Sequence, residues 1–168
     1  RMVQAYFANV QFMSMGVVAT GGTGAFGTPV IYKEASATDP TPTKVLTVFF
    51  IGNSQEISCM AVVTTGGTTR LWIGYSVSGA GGLGVDAYAE PTLATPTTVD
   101  VSNGHTGTVE AVSGIMQAPN GDVLLATTGG DLRLCTNNTA ALAALSFTTM
   151  QAQALGKFPV AVGSCSLA

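Results

Sequence analysis

One phrase is written into this chain several times, and its recurrence constrains the fold more than any other feature. Phe12-Met13-Ser14-Met15-Gly16-Val17-Val18 runs into Ala19-Thr20-Gly21-Gly22-Thr23, and Ile57-Ser58-Cys59-Met60-Ala61-Val62-Val63 runs into Thr64-Thr65-Gly66-Gly67-Thr68. Val112-Ser113-Gly114-Ile115-Met116-Gln117-Ala118 leads into Pro119-Asn120-Gly121, and Val162-Gly163-Ser164-Cys165-Ser166-Leu167-Ala168 stands at the equivalent place. The starts fall about 50 residues apart, a period that belongs to propellers rather than to the shorter leucine-rich or hexapeptide solenoids.

Each unit has the same inner order. Residues 112–135 read as three short strands parted by two tight turns, Pro119-Asn120-Gly121 and Gly129-Gly130, because Asn and Gly tolerate the positive φ of hairpin turns. A second strand is expected at 26–32, 70–75 and 122–127, and a third at 83–89 and 131–135. The fourth is expected at 44–50, 97–101 and 146–150, while the first unit has no clear third run. Four antiparallel strands per unit make one propeller blade. The expectation is an all-β, propeller-type domain of about three blades, units 12–50, 57–101 and 112–150, with partial strands at 2–7 and 160–168. Three blades do not close a ring, so 1–168 is read as one repeat domain that is either part of a longer propeller or completed by other copies. A β-sandwich or jelly roll is the alternative architecture. Helical signal is confined to Ala140-Ala141-Leu142-Ala143-Ala144-Leu145, too short to hold a helix without tertiary support.

Two of the units carry a family resemblance. Arg70-Leu71-Trp72-Ile73-Gly74-Tyr75, followed by Gly81-Gly82-Leu83-Gly84-Val85, resembles the blade phrase of two-component-regulator-type propellers, in which a turn and G-x-L-W-I-G-T lead to G-G-L. Asn120-Gly121-Asp122-Val123-Leu124-Leu125-Ala126-Thr127 with Gly129-Gly130-Asp131-Leu132 is similar, with Leu124 in the Trp place and Ala126 in the second Gly place. Phe26-Gly27-Thr28-Pro29-Val30 lacks the aromatic-Ile-Gly core. The resemblance implies a β-propeller, whose blades serve sensing, adhesion and scaffolding alike, so it names no activity. Read from the residues themselves, Trp72 packs its large apolar surface between units and Gly74 admits close backbone approach, while Gly82, Gly121 and Gly130 shape turns.

Composition narrows the function classes. The 168 residues are 46% hydrophobic and only 9% charged, a balance that folds or aggregates rather than staying disordered. Six Lys and Arg residues are scattered singly in a chain of net charge −3, which leaves no basic stripe for nucleic acid. No apolar run approaches the roughly 20 residues of a membrane-spanning helix. Low charge with much Thr, Ala and Gly suggests an extracellular or cell-surface setting, where Asn137-Asn138-Thr139 would be an N-glycosylation acceptor at Asn137. The Pro/Thr stretches at 38–43 and 91–97 are expected to be loops, open to O-linked sugar in that setting.

No catalytic or cofactor motif is assembled. His105 is the only His, in a loop without a companion nucleophile. Cys59, Cys135 and Cys165 lack metal-ligand spacing, and buried thiols are expected, with one disulfide and a leftover thiol as the other arrangement. Gly21-Gly22-Thr23-Gly24-Ala25-Phe26-Gly27 has no Lys-Ser/Thr after it and no helix pattern, so it is a turn rather than a phosphate loop. These residues imply no metal and no cofactor. The favoured function is a non-enzymatic structural or interaction module whose partners are other protein chains, copies of itself or glycan. A propeller hydrolase or lyase with a central-channel site, and a β-sandwich subunit of a capsid or surface filament, are the alternatives.

Overall fold

The computed structural model describes residues 2–15, 30–36, 38–47, 57–75, 84–89, 92–93, 95–101, 112–127 and 129–151. They form three four-stranded sheets, each an antiparallel meander with neighbours in chain order. The first holds β1 (Met2–Phe7), β2 (Val10–Met15), β3 (Val30–Ser36) and β4 (Asp39–Thr47). The second holds β5 (Ile57–Thr65), β6 (Thr68–Tyr75), β7 (Gly84–Tyr88) and β8 (Pro96–Asp100). The third holds β9 (Val112–Gln117), β10 (Val123–Thr127), β11 (Leu132–Cys135) and β12 (Thr148–Gln151). A single 3-10 turn at Leu142–Ala144 is the one helical element among the described residues, so the Ala/Leu run contributes a turn and the chain is all-β. No helix among them is long and apolar enough to cross a membrane.

The second and third sheets start at Ile57 and Val112, where the recurring phrase starts. The first sheet is phased differently. Met2–Phe7, expected as a partial strand set apart from the first unit, pairs with Val10–Met15 from Met2↔Met15 to Phe7↔Val10, which places Phe12 on a second strand rather than a first. The cause is a turn that the composition does not advertise: Ala8 and Asn9 take φ of 50° and 62°, the pair of positive values that a two-residue type I′ hairpin requires. The Pro/Thr stretch after Thr38 is also extended: β4 begins at Asp39 and pairs with β3, its two prolines lying on the outermost strand where a missing N–H costs no ladder bond. The partial strand expected at 160–168 lies outside the described residues.

Hairpin chemistry elsewhere follows the glycines. Gly66 and Gly67, at φ 55° and 73°, close β5 onto β6 in the same two-residue manner. Between β9 and β10, Gly121 N–H donates to Ala118 O at 2.8 Å and Gly121 itself takes φ 92°, a turn completed by a glycine bulge. Gly130, at φ 97° with its N–H on Thr127 O at 3.1 Å, repeats that device between β10 and β11.

Two apolar cores lie on either side of the second sheet. Phe7, Phe12 and Ile31 of the first sheet meet Ile57, Met60, Leu71, Ile73, Tyr88 and Leu93. On the opposite side Cys59, Ala61, Val63, Trp72, Val85 and Ala87 meet Val112, Ile115, Val123, Leu125 and Phe147 of the third sheet. Burial on both faces explains why Cys59–Val63 and Leu71–Ile73 are continuously apolar instead of alternating. The first strands of successive sheets make the main contact between sheets: β1 packs by β5, and β5 by β9.

Candidate functional site

A run of hydrogen bonds marks the seam where the second sheet meets the third. At its start, Ser58 Oγ donates to the Val112 carbonyl, and Cys59 Sγ approaches the same oxygen at 3.4 Å. At its far end Gln117 acts as a substitute peptide. Its Oε1 accepts the Thr64 N–H at 2.9 Å, while Nε2 donates to Thr64 O at 2.7 Å and to Gly121 O at 2.9 Å. The contacts join residue 58 to 112 and residue 64 to 117, so β5 and β9 run side by side in the same direction.

The turns extend the seam. Gly66 N–H donates to Asn138 O at 2.8 Å, and a Cβ at Gly66 would stand 2.9 Å from Ala140 O. Asn120 Oδ1 accepts the Asp122 N–H at 3.2 Å and its Nδ2 donates to Asp122 Oδ2 at 2.8 Å, while Asn138 Nδ2 reaches Asp122 Oδ1 at 3.4 Å. These bonds use the Asp122 carboxylate to fix the turn. Gly121 is favoured by its φ of 92°, and a Cβ there would fall 2.8 Å from Asn138 Nδ2 and push that side chain aside.

Of the residues singled out from sequence, Trp72 is fully buried in the core between the second and third sheets. Its Nε1 has no hydrogen-bond partner among the described residues. Gly74 is buried beside it, facing Cys59 across the β5–β6 ladder. Gly130 and Gly121 are the bulge positions. Asn137 organises the loop before β12: its Nδ2 donates to Ala144 O at 2.8 Å, and its Oδ1 accepts from Ser146 N–H at 3.0 Å and from Cys135 Sγ at 3.0 Å. That amide serves the loop, and the glycosylation reading rests on the tripeptide alone. Gly82, His105 and Cys165 lie outside the described residues.

Electrostatics follows burial. Desolvation pushes the Asp86 carboxyl above its ordinary value, against the opposing pull of the Thr98 hydroxyl, which donates to it at 2.9 Å. Desolvation likewise pushes the Cys135 thiol up, so it stays protonated, and Cys59 is a second buried cysteine. Among the described residues no group of His, Cys, Asp or Glu side chains is placed to hold a metal ion. Two structural residues gave no signal in the sequence. Gln117 sits in an unremarkable strand end, and Arg133 is fully buried, with Nη2 on Phe147 O at 3.3 Å and Nη1 on Thr149 Oγ1 at 3.4 Å. Neither role has a motif, since each depends on which strand stands opposite.

Comparison with protein-family models, with curated proteins and with solved structures found no match for this chain.

Proposed function

We propose that this chain is a non-enzymatic structural and interaction module, a run of propeller-type blades that scaffolds contacts with other protein chains, copies of itself or glycan in an extracellular assembly. The observation that carries the reading is the repetition of one packing relationship. Each sheet is a four-stranded meander, and its first strand lies beside the first strand of the next. Meanders laid with their first strands side by side are the arrangement of propeller blades around an axis. Gln117 and Asp122 tie strands and turns of the second and third sheets together.

An experimental density map of the purified chain at secondary-structure resolution tests the reading. The expected result is a set of sheets fanning from adjacent first strands. Two sheets facing each other as a closed sandwich would overturn it. Glycan-array binding and pull-down against extracellular proteins then separate the partner classes, and hydrolase or lyase turnover on polysaccharide substrates would displace the non-enzymatic reading.

A further inference from the structure

The row of three sheets has two end faces, and side-chain alternation along the strands identifies them. In the first sheet Phe7, Phe12 and Ile31 point to the second sheet, so Tyr6, Gln11, Met13 and Tyr32 point away from it. Tyr6 is 61% exposed and Tyr32 38% exposed, two of the three large apolar side chains exposed among the described residues. Gln11 Nε2 donates to Gln4 Oε1 at 3.2 Å on this face, and Glu34 accepts the Gln11 N–H at 3.0 Å. In the third sheet Val123, Leu125 and Cys135 point to the second sheet, so Met116, Leu124, Leu132 and Leu134 point away. They are half-buried, and no described strand lies against them.

These end faces are the next members of an existing series. Trp72, on the second strand of its sheet, faces onward and is fully covered by the third sheet. Leu124 occupies the same place on the second strand of the third sheet and faces onward in the same sense. Leu71, Ile73 and Tyr88 face backward from the second sheet and are covered by the first; Tyr6, Met13 and Tyr32 face backward from the first.

We propose that the onward face of the third sheet docks on the backward face of the first sheet of a second copy, head to tail, continuing the contact that already joins the sheets within one chain. This rests on the module reading above and specifies its partner and its surfaces. The chemistry matches: an aliphatic stripe of Met and Leu meets tyrosines, a methionine and glutamine amides, and Tyr and Met are enriched in protein interfaces. The register also places Lys44 opposite Tyr32 on the backward face. The contact joins two different surfaces, so it must either close or propagate. Two copies of three sheets each fall within the roughly four to eight blades at which propellers close.

Light scattering on size-exclusion fractions tests the pairing, using Tyr6→Glu at the exposed backward face and Leu124→Glu at the onward face. Wild type is expected at twice the chain mass, and each variant alone as monomer. Mixing the two variants is expected to restore a dimer, because one intact onward face and one intact backward face remain. Met116→Glu is the second onward-face variant if circular dichroism shows Leu124→Glu unfolded. A monomeric wild type at every concentration, a Tyr6→Glu variant that keeps the wild-type mass, or a mixture that stays monomeric overturns the head-to-tail contact. The density map answers separately: fanned sheets in a monomer defeat this contact alone, and a two-sheet sandwich defeats the module reading whatever the mass.

Discussion

A Cβ placed on Gly74 would stand 2.5 Å from Cys59 Sγ and 3.2 Å from Val112 Cβ, so a single methyl group tests how tightly the second and third sheets are joined. Gly74→Ala is expected to lower stability by about 1–3 kcal/mol in urea unfolding, the range for an overpacked core. Removing the opposing sulfur in a Cys59→Ala, Gly74→Ala pair should recover part of that loss, and strict additivity would show that the two side chains do not compete. Trp72 is read through two substitutions. Trp72→Ala should cost about 3–5 kcal/mol through the cavity it leaves. Trp72→Phe should cost clearly less, because it also removes a buried N–H that has no partner among the described residues; equal losses in thermal unfolding would contradict this. Asp86 gives a pH signature. Its carboxyl is held above the ordinary 3.8 by burial, so the folded chain keeps this proton to higher pH than the unfolded chain does. The resulting stability is fully present below the unfolded value and is lost as pH rises through the folded one. Asp86→Asn should remove that decline, read as the wild-type-minus-variant difference across acid pH, since exposed Asp39 is lowered by Thr41 and slopes the opposite way. From the sequence, Trp72 is expected to pack between units and Gly74 to admit close backbone approach; what Gly74 actually faces are the side chains of Cys59 and Val112. The contact with Cys59 was not legible there, because it depends on a register shift between Ile57 and Cys59.

The seam between the second and third sheets shows how much an element depends on one side chain. Thr64 N–H is capped by the Gln117 carboxamide, whose other end binds Thr64 O and Gly121 O. Gln117→Ala should therefore speed hydrogen exchange at Thr64, while the ladder amides deeper in β5 and β6 keep their protection. The net stability loss should be about 1–3 kcal/mol, taking roughly 0.5–1.5 kcal/mol per hydrogen bond and discounting their partial exposure. Unchanged exchange at Thr64 would show that water replaces the amide without consequence. The turns explain which elements could be read in advance. Gly66-Gly67, Gly121 and Gly130 announce positive φ by having no Cβ, and their hairpins stand where the glycines point. Ala8-Asn9 adopts the same geometry with an alanine, which carries no such signal, so the hairpin that phases the first sheet was invisible. The Pro/Thr stretch misleads for a related reason. Pro40 and Pro42 look like loop residues, yet β4 is an outer strand, where proline also blunts an edge against pairing with other chains.

At the scale of the molecule the sheets form layers of unequal protection, and the repeat in the sequence is the origin of that order. The starts of the recurring phrase at Ile57 and Val112 coincide with sheet starts, whereas the first sheet starts at Met2 rather than at the expected Phe12. The seam and the end-face chemistry were not legible, because a repeat specifies what its units share and leaves silent how the two ends differ. The second sheet has a core on each side, with Ile57, Val63, Leu71, Trp72 and Val85 almost wholly removed from water. The first and third sheets each have one face in a core and one facing outward, where Tyr6 and Tyr32 are exposed. Local opening costs most where apolar contacts surround the backbone, and least on elements with one wet face or one free edge. Native-state hydrogen exchange should accordingly rank β5 and β6 slowest, near the free energy of global unfolding. Strands β1 and β10 should follow, and the outer strands β4 and β12 should exchange fastest. The ranking separates two pictures of the chain. In a single cooperative block every ladder amide exchanges at one common rate in denaturant, and that result would count against layered packing. In the layered stack, low denaturant releases β4 and β12 first while β5 and β6 hold, because opening an outer strand exposes one face and opening the middle sheet breaks both cores.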